Sequence, residues 1–168
     1  LLAKAFAEMG FGLMLPLLKY MLTIIGALFF HVMVTYPALL VIFSRLNPRV
    51  FFKKFFPTMV VGFSTSSSNA TLPVTLTTAE KKLGVKKEIA AFTIPLGATI
   101  NMDGTSIMQG VATVFIAQIS GIDLSLTQYI MVISMATLAS IGTAGVPGVG
   151  LVMLIMVLDS VGLKAEYI

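Results

Sequence analysis

The chain has 168 residues, 57% of them hydrophobic and only 11% charged, with a mean hydropathy of +1.00. A soluble domain carries roughly 25% charged residues, so this composition excludes an ordinary soluble globule and reads as a membrane protein. The basic residues behind the formal charge of +4 sit mostly in two short loop clusters with no extended aromatic-basic stripe, which argues against a nucleic-acid partner, and the absence of Cys excludes disulfides, thiolate metal sites and a cysteine nucleophile.

The chain opens on LLAKAFAEMG, which has neither an initiator Met nor the basic flank, apolar run and cleavage site of a signal peptide. Residues 1–15 are therefore expected to be the end of a preceding transmembrane helix and its loop, and the chain to be an internal fragment. Residues 16–46 form the next element. From Pro16 to Phe43 the strongly polar side chains are Lys19 and His31, and the stretch exceeds the ~20 residues that cross a bilayer. His31 has only Thr35 as a polar neighbour on its face, which weighs against a role for it. Arg45, Asn47-Pro48, Arg49, Lys53 and Lys54 then mark a helix break at a cytoplasmic turn. Phe51, Phe52, Phe55 and Phe56 beside those lysines read as an interfacial anchor.

Residues 48–83 carry a short apolar piece, the polar run GFSTSSSNATLPVT from Gly62 to Thr75, and a second basic cluster at Lys81, Lys82, Lys86 and Lys87. Both ends are basic and neither arm has ~20 continuous apolar residues, so the segment is expected to enter the membrane from the cytoplasm and return. The competing reading is one long spanning helix from Val50 to Thr78. Six consecutive polar residues, Ser64 to Asn69, followed by Pro73 make a poor centre for such a helix.

Residues 87–120 are apolar again except for Asn101-Met-Asp-Gly-Thr105 at their centre. A carboxylate at mid-bilayer costs at least ~2.5 kcal/mol, so Asp103 is expected to face a protein or water-filled interior, and Gly104 to let the helix break there. Residues 124–163 are interrupted by SIGTAGVPGVG, Ser140 to Gly150, whose glycines and proline suit a second re-entrant tip away from lipid. Its flanks lack a positive excess (Asp123, Asp159, Lys164, Glu166), as expected of an external side.

The expected fold class is thus an all-α polytopic membrane protein: an inverted-repeat transporter with two re-entrant helical hairpins and a broken transmembrane helix, in one transport domain. In secondary transporters, discontinuous helices of inverted repeats place substrate and ions at the midplane. Half-helix N-termini favour anions, and freed carbonyls and hydroxyls replace water around a cation.

The segments SSSNATLPVT, PLGATINMDGT and LASIGTAGVPGVG resemble the signature segments of the dicarboxylate/amino acid:cation symporter family, in that family's order and spacing, and the likeness runs from Leu17 to Leu163. It implies that the chain covers the end of the fifth helix through the second hairpin, without the first helices or the eighth. By the resemblance, Ser66, Ser67, Ser68 and Asn69 on the first hairpin, Thr105, and Val146 and Gly150 on the second contact substrate. Gly142, Gly145 and Pro147 form the external gate. The cation is held by Gly97, Thr99, Asn101, Met102 and Asp103 on one side and by Ser140, Ile141 and Thr143 on the other. Oxygen donors suit a hard cation, and the Met102 sulfur is an exception that the family shares. Where some archaeal members place Arg before the paired serines, this chain has Ser66. A second substrate carboxylate would want a guanidinium, expected from the eighth helix, which also supplies the family's carboxylate for the amino group.

The function implied is cation symport of an acidic amino acid such as glutamate or aspartate by alternating access, with sodium or else a proton as coupling ion and no other cofactor. A C4-dicarboxylate or neutral amino acid is the alternative substrate. The implied setting is the plasma or inner membrane, in contact with lipid, as a multi-pass homotrimer. Two other classes compete with this reading. Asp-Gly-Thr at Asp103 is a motif of aspartic proteases, but the candidate for a partner carboxylate, Asp159, lies at the edge of its apolar segment, and the one histidine, His31, is on another helix from the serines, so no enzyme is expected. A passive channel is the remaining competitor, since hairpin tips also build filters. Asp103 as a structural charge and the methionines as packing are the plainer readings of those residues.

Overall fold

The structure is a computed structural model that describes residues 14–163. The expected preceding segment 1–15 therefore lies almost wholly outside the described residues, as do Lys164 and Glu166.

Met14–Ser44 is one helical rod in three pieces: α1 (Met14–Phe30), a π turn (His31–Thr35) and α2 (Tyr36–Ser44). Among the described residues it is the one helix long and apolar enough to cross a membrane, with 31 residues and a mean hydropathy of 2.0 over its most apolar 18. Arg45, in the left-handed region at φ 55°, ends it and returns its N–H to the Val41 carbonyl. The Asn47 side chain then accepts from the Arg49 N–H at 3.0 Å, and Pro48 takes the first helical position of the next element, where its missing N–H costs nothing.

That element, α3 (Pro48–Thr65), and α4 (Ser68–Lys81) are an antiparallel pair. Thr58 faces Thr78 through a buried hydroxyl–hydroxyl bond of 2.8 Å, and Gly62 lies against Thr71. The pairing puts both basic clusters at the open end of the hairpin. The turn is only Ser66 and Ser67, so a single helix across 50–78 is excluded. Ser66 adopts φ 48°, and the extended Ser67 caps α4 by accepting the Ala70 N–H at 3.2 Å. The rest of the polar run is helical, because Ser64, Thr71, Thr75 and Thr77 bond their hydroxyls back to the preceding turn and leave the backbone ladder intact. Pro73 lies inside α4.

α5 (Lys87–Ile100) and α6 (Asp103–Ile119) are separated by Asn101 and Met102, whose ψ values of 69° and 58° leave helical geometry. The break thus precedes Asp103, and Gly104 lies within the first turn of α6, not at the break. α7 (Leu126–Ile141) starts on a capping box between Ser125 and Gln128, and α8 (Val149–Ser160) follows the glycine-rich turn. The core joins Ala112, Ile116 and Ala117 of α6 to Val132, Ala136 and Ala139 of α7 and Leu154, Val157 and Leu158 of α8. The alanines let the backbones approach closely. α1 packs on α6, with Tyr20 stacked on Phe115 at 4.9 Å.

The outer faces are far more apolar than those of a soluble domain, and several hydroxyl and amide side chains are buried. Leu22, Phe29, Ile42, Phe63, Ile133 and Val152 are exposed, whereas Thr58, Thr78, Gln109, Thr113, Ser140 and Thr143 are buried. Lipid or further helices against the outer faces suit this distribution.

Candidate binding site between the hairpin tips

The two hairpin turns meet. The Gly145 carbonyl, in the α7–α8 turn, accepts from the Ser67 hydroxyl at 2.7 Å and from the Asn69 N–H at 3.2 Å. The approach is close enough that a Cβ on Gly145 would lie 3.0 Å from Asn69 Oδ1 and 3.1 Å from Ser68 Cβ. Beside this contact is a cavity of about 300 Å³, lined by Ser66 and Ser68, by Met102 and Thr105, and by the second turn from Thr143 to Gly150.

The first turns of three helices border this cavity: Ser68 opens α4, Thr105 lies in the first turn of α6, and Gly150 in that of α8. A helix N-terminus has N–H groups without intrahelical partners and carries about half a positive charge. Three of them around one cavity favour an anionic group, although Asp103 in the first turn of α6 offsets that terminus and no basic side chain lines the cavity. Hydroxyls from Ser66, Ser68 and Thr105 add donors that can turn to suit.

Of the substrate residues the sequence points to, Ser66, Ser68, Thr105, Val146 and Gly150 line this cavity, while Ser67 and Asn69 hold the tips together. Of the gate residues, Gly145 and Pro147 line the cavity, and Gly142 ends α7. The cation residues divide. Met102 and Thr143 line the same cavity, and the Thr143 hydroxyl donates to the Ala139 carbonyl at 2.7 Å. Asn101 instead lines a second cavity of about 560 Å³, beside the first hairpin. The Gly97 carbonyl accepts the Asn101 N–H at 2.9 Å, the Thr99 hydroxyl donates to Leu96, and the Ser140 carbonyl accepts from Thr143 at 3.3 Å. Ile141 is the exposed last residue of α7. The break after Ile100 leaves the last carbonyls of α5 without the N–H groups a continuous helix would bring, which makes them available to a cation.

Asp103 has partners the sequence did not suggest. Its Oδ2 lies 3.2 Å from His31 Nε2 and accepts from the Tyr36 hydroxyl at 2.9 Å. His31, whose only apparent polar neighbour was Thr35, therefore has a carboxylate partner 72 positions away. Gln109 was also missed. It is fully buried, its Nε2 donates to the Gly150 carbonyl at 3.0 Å, and its Oε1 has no partner among the described residues. Its spacing from Thr105 was the available signal: four residues place both on one helix face.

Among the described residues, helices without strands, apolar outer faces and a hydroxyl-bearing cavity beside a helix break are consistent with a membrane transporter, and comparison with known proteins agrees. The family model described as the sodium:dicarboxylate symporter family matches residues 1–168, and the chain belongs to that family. It is 44% identical over 147 residues to an excitatory amino acid transporter of Caenorhabditis elegans, covering 88% of this chain and 29% of the relative. It is 48% identical over 147 residues to excitatory amino acid transporter 3 of Mus musculus, covering 88% and 28%. With excitatory amino acid transporter 1 of Homo sapiens the identity is 42% over 152 residues, covering 90% and 28%. The chain thus spans less than a third of the length of these relatives.

Proposed function

We propose that this chain forms much of the substrate and cation site of a secondary active transporter that carries an acidic amino acid, such as glutamate or aspartate, together with sodium. The observation that carries this reading is the convergence of three helix N-termini on one cavity beside the meeting of two turns. An anionic substrate suits those termini, and an acidic amino acid meets both the excitatory amino acids for which the relatives are named and the dicarboxylates for which the family is named. The two helix pairs act as re-entrant hairpins of an inverted repeat. The first enters from the cytoplasmic side, where its basic clusters lie, and the second from outside.

Coupling has a physical basis in this arrangement. Carbonyls from Ser140 to Thr143 are held in place when a cation occupies them, so cation binding favours the arrangement in which the second turn rests on the first. Opening that turn, with Gly145 as its flexible point and Gly142 and Pro147 as the other gate residues, admits substrate. Movement of the whole domain then completes alternating access in a multi-pass plasma-membrane homotrimer.

The test is uptake of labelled aspartate by the full-length protein in proteoliposomes. Accumulation against a gradient, driven by inward sodium, is expected. Purely downhill flux would favour a channel, a proton gradient sufficing without sodium would move the coupling ion, and competition by succinate or alanine but not glutamate would reassign the substrate. Asp103→Asn should abolish sodium-dependent uptake while leaving membrane insertion intact.

A further inference from the structure

The two side chains on Asp103 come from a single wide turn. In a regular α-helix residues five apart point about 140° away from each other, at 3.6 residues per turn. Here the Tyr36 N–H bonds to the His31 carbonyl in an i→i+5 turn, which brings the two residues round to one face. Their rings lie edge to face with centroids 4.6 Å apart. Both polar ends reach the same atom, Asp103 Oδ2.

Pro37 explains the turn. It has no N–H to offer the Met33 carbonyl, and in a regular helix its ring would clash with that carbonyl. Widening the turn just before Pro37 removes the clash, and it also sets Tyr36 above His31.

We infer that His31 and Tyr36 are positioning residues for Asp103, which the π turn aims together at Oδ2 so that the carboxylate is held in one orientation with Oδ1 left for a cation. This rests on the reading of Asp103 as a cation ligand given above. An ionised carboxylate only accepts, so the imidazole donates through Nε2–H, as the phenol does through its hydroxyl. Two donors on one oxygen fix the plane of the group, while the other oxygen keeps its lone pairs. A ligand held in place beforehand loses less freedom when the ion arrives, and partners behind metal ligands are commonly worth 10–100-fold in affinity.

The test is sodium-dependent aspartate uptake by the full-length protein over a range of sodium concentrations. Tyr36→Phe should raise the half-saturating sodium concentration about tenfold, the low end of that range, with little change in the rate at saturating sodium. His31→Gln, which keeps an N–H donor at the end of the side chain, should shift it less than His31→Leu. Tyr36→Phe that leaves the sodium dependence unmoved, while Asp103→Asn abolishes it, overturns the positioning role and leaves the cation site standing. Asp103→Asn with unaltered sodium dependence overturns the cation site itself, and the positioning role with it. Equal shifts in His31→Gln and His31→Leu would likewise overturn the role of the Nε2 donor.

Discussion

Ser67 has two tasks that substitution can separate. Its hydroxyl accepts the Ala70 N–H as the cap of α4 and donates to the Gly145 carbonyl across the tips. Ser67→Ala removes both and should cost about 1 kcal/mol through the cap alone, whereas glycine at an N-cap costs only a few tenths. Ser67→Gly should therefore keep most of the thermal stability of the purified full-length protein while sharing the weakened aspartate binding of Ser67→Ala. Thermal unfolding and equilibrium binding on both variants check this. An equal loss of stability in the two would mean that the bond between the tips, not the cap, stabilises the hairpin. Gln109 works similarly on the second turn. Gln109→Leu leaves the Gly150 carbonyl without its 3.0 Å donor. Stranding a polar group is worth about 1–3 kcal/mol. Weaker aspartate binding in that variant is the expected result in the same assay.

At the scale of elements, the first hairpin is held across its width by the buried Thr58–Thr78 hydroxyl pair. Replacing one hydroxyl by a methyl leaves the other buried and unsatisfied, at about 1–3 kcal/mol, whereas replacing both removes the mismatch. Thr58→Val and Thr78→Val should each destabilise the protein, and the double variant should be less destabilised than the sum of the two. A thermal-stability double-mutant cycle on the full-length protein measures it, and strict additivity would mean the two hydroxyls do not depend on each other. These elements also mark how far the sequence could be read. The apolar rod, the break near Asp103 and the two turns were legible because charge, glycine and run length are local properties. The exact position of the break was not, since Gly104 permits a departure from helix that the backbone makes two residues earlier, at Asn101 and Met102. The partners of Asp103 were also hidden. Helical periodicity assigns side chains to faces at 3.6 residues per turn, and the π turn before Pro37 resets that count, so Tyr36 falls on the face of His31 where a regular helix would not put it.

Across the whole molecule, closure depends on how near the two turns can come. Gly145 is the point of contact, and an added Cβ would meet Ser68 Cβ at 3.1 Å and the Asn69 side-chain oxygen at 3.0 Å, so these neighbours would have to give by a few tenths of an ångström. The chain has no cysteine, so a single thiol introduced in this part of the full-length protein can report on the gap, and Val146, which lines the cavity and is 45% exposed, is a suitable place. In an otherwise unchanged background, sodium with aspartate should slow modification of Val146→Cys by a small maleimide, because the substrate fills the cavity that Val146 lines while the turn rests on Ser67 and Asn69. Adding Gly145→Ala should abolish most of that protection and weaken aspartate binding in parallel. Protection that persists with Gly145→Ala would show that the turns need not touch for the cavity to close, and the Gly145 carbonyl would then lose its place in the gate. The sodium arm of the experiment separates two causes of closure. Protection by sodium alone places the cation's hold on the Ser140–Thr143 carbonyls first. Protection that appears only with aspartate makes the substrate, bridging the first turns of α4, α6 and α8, the group that draws the hairpins together.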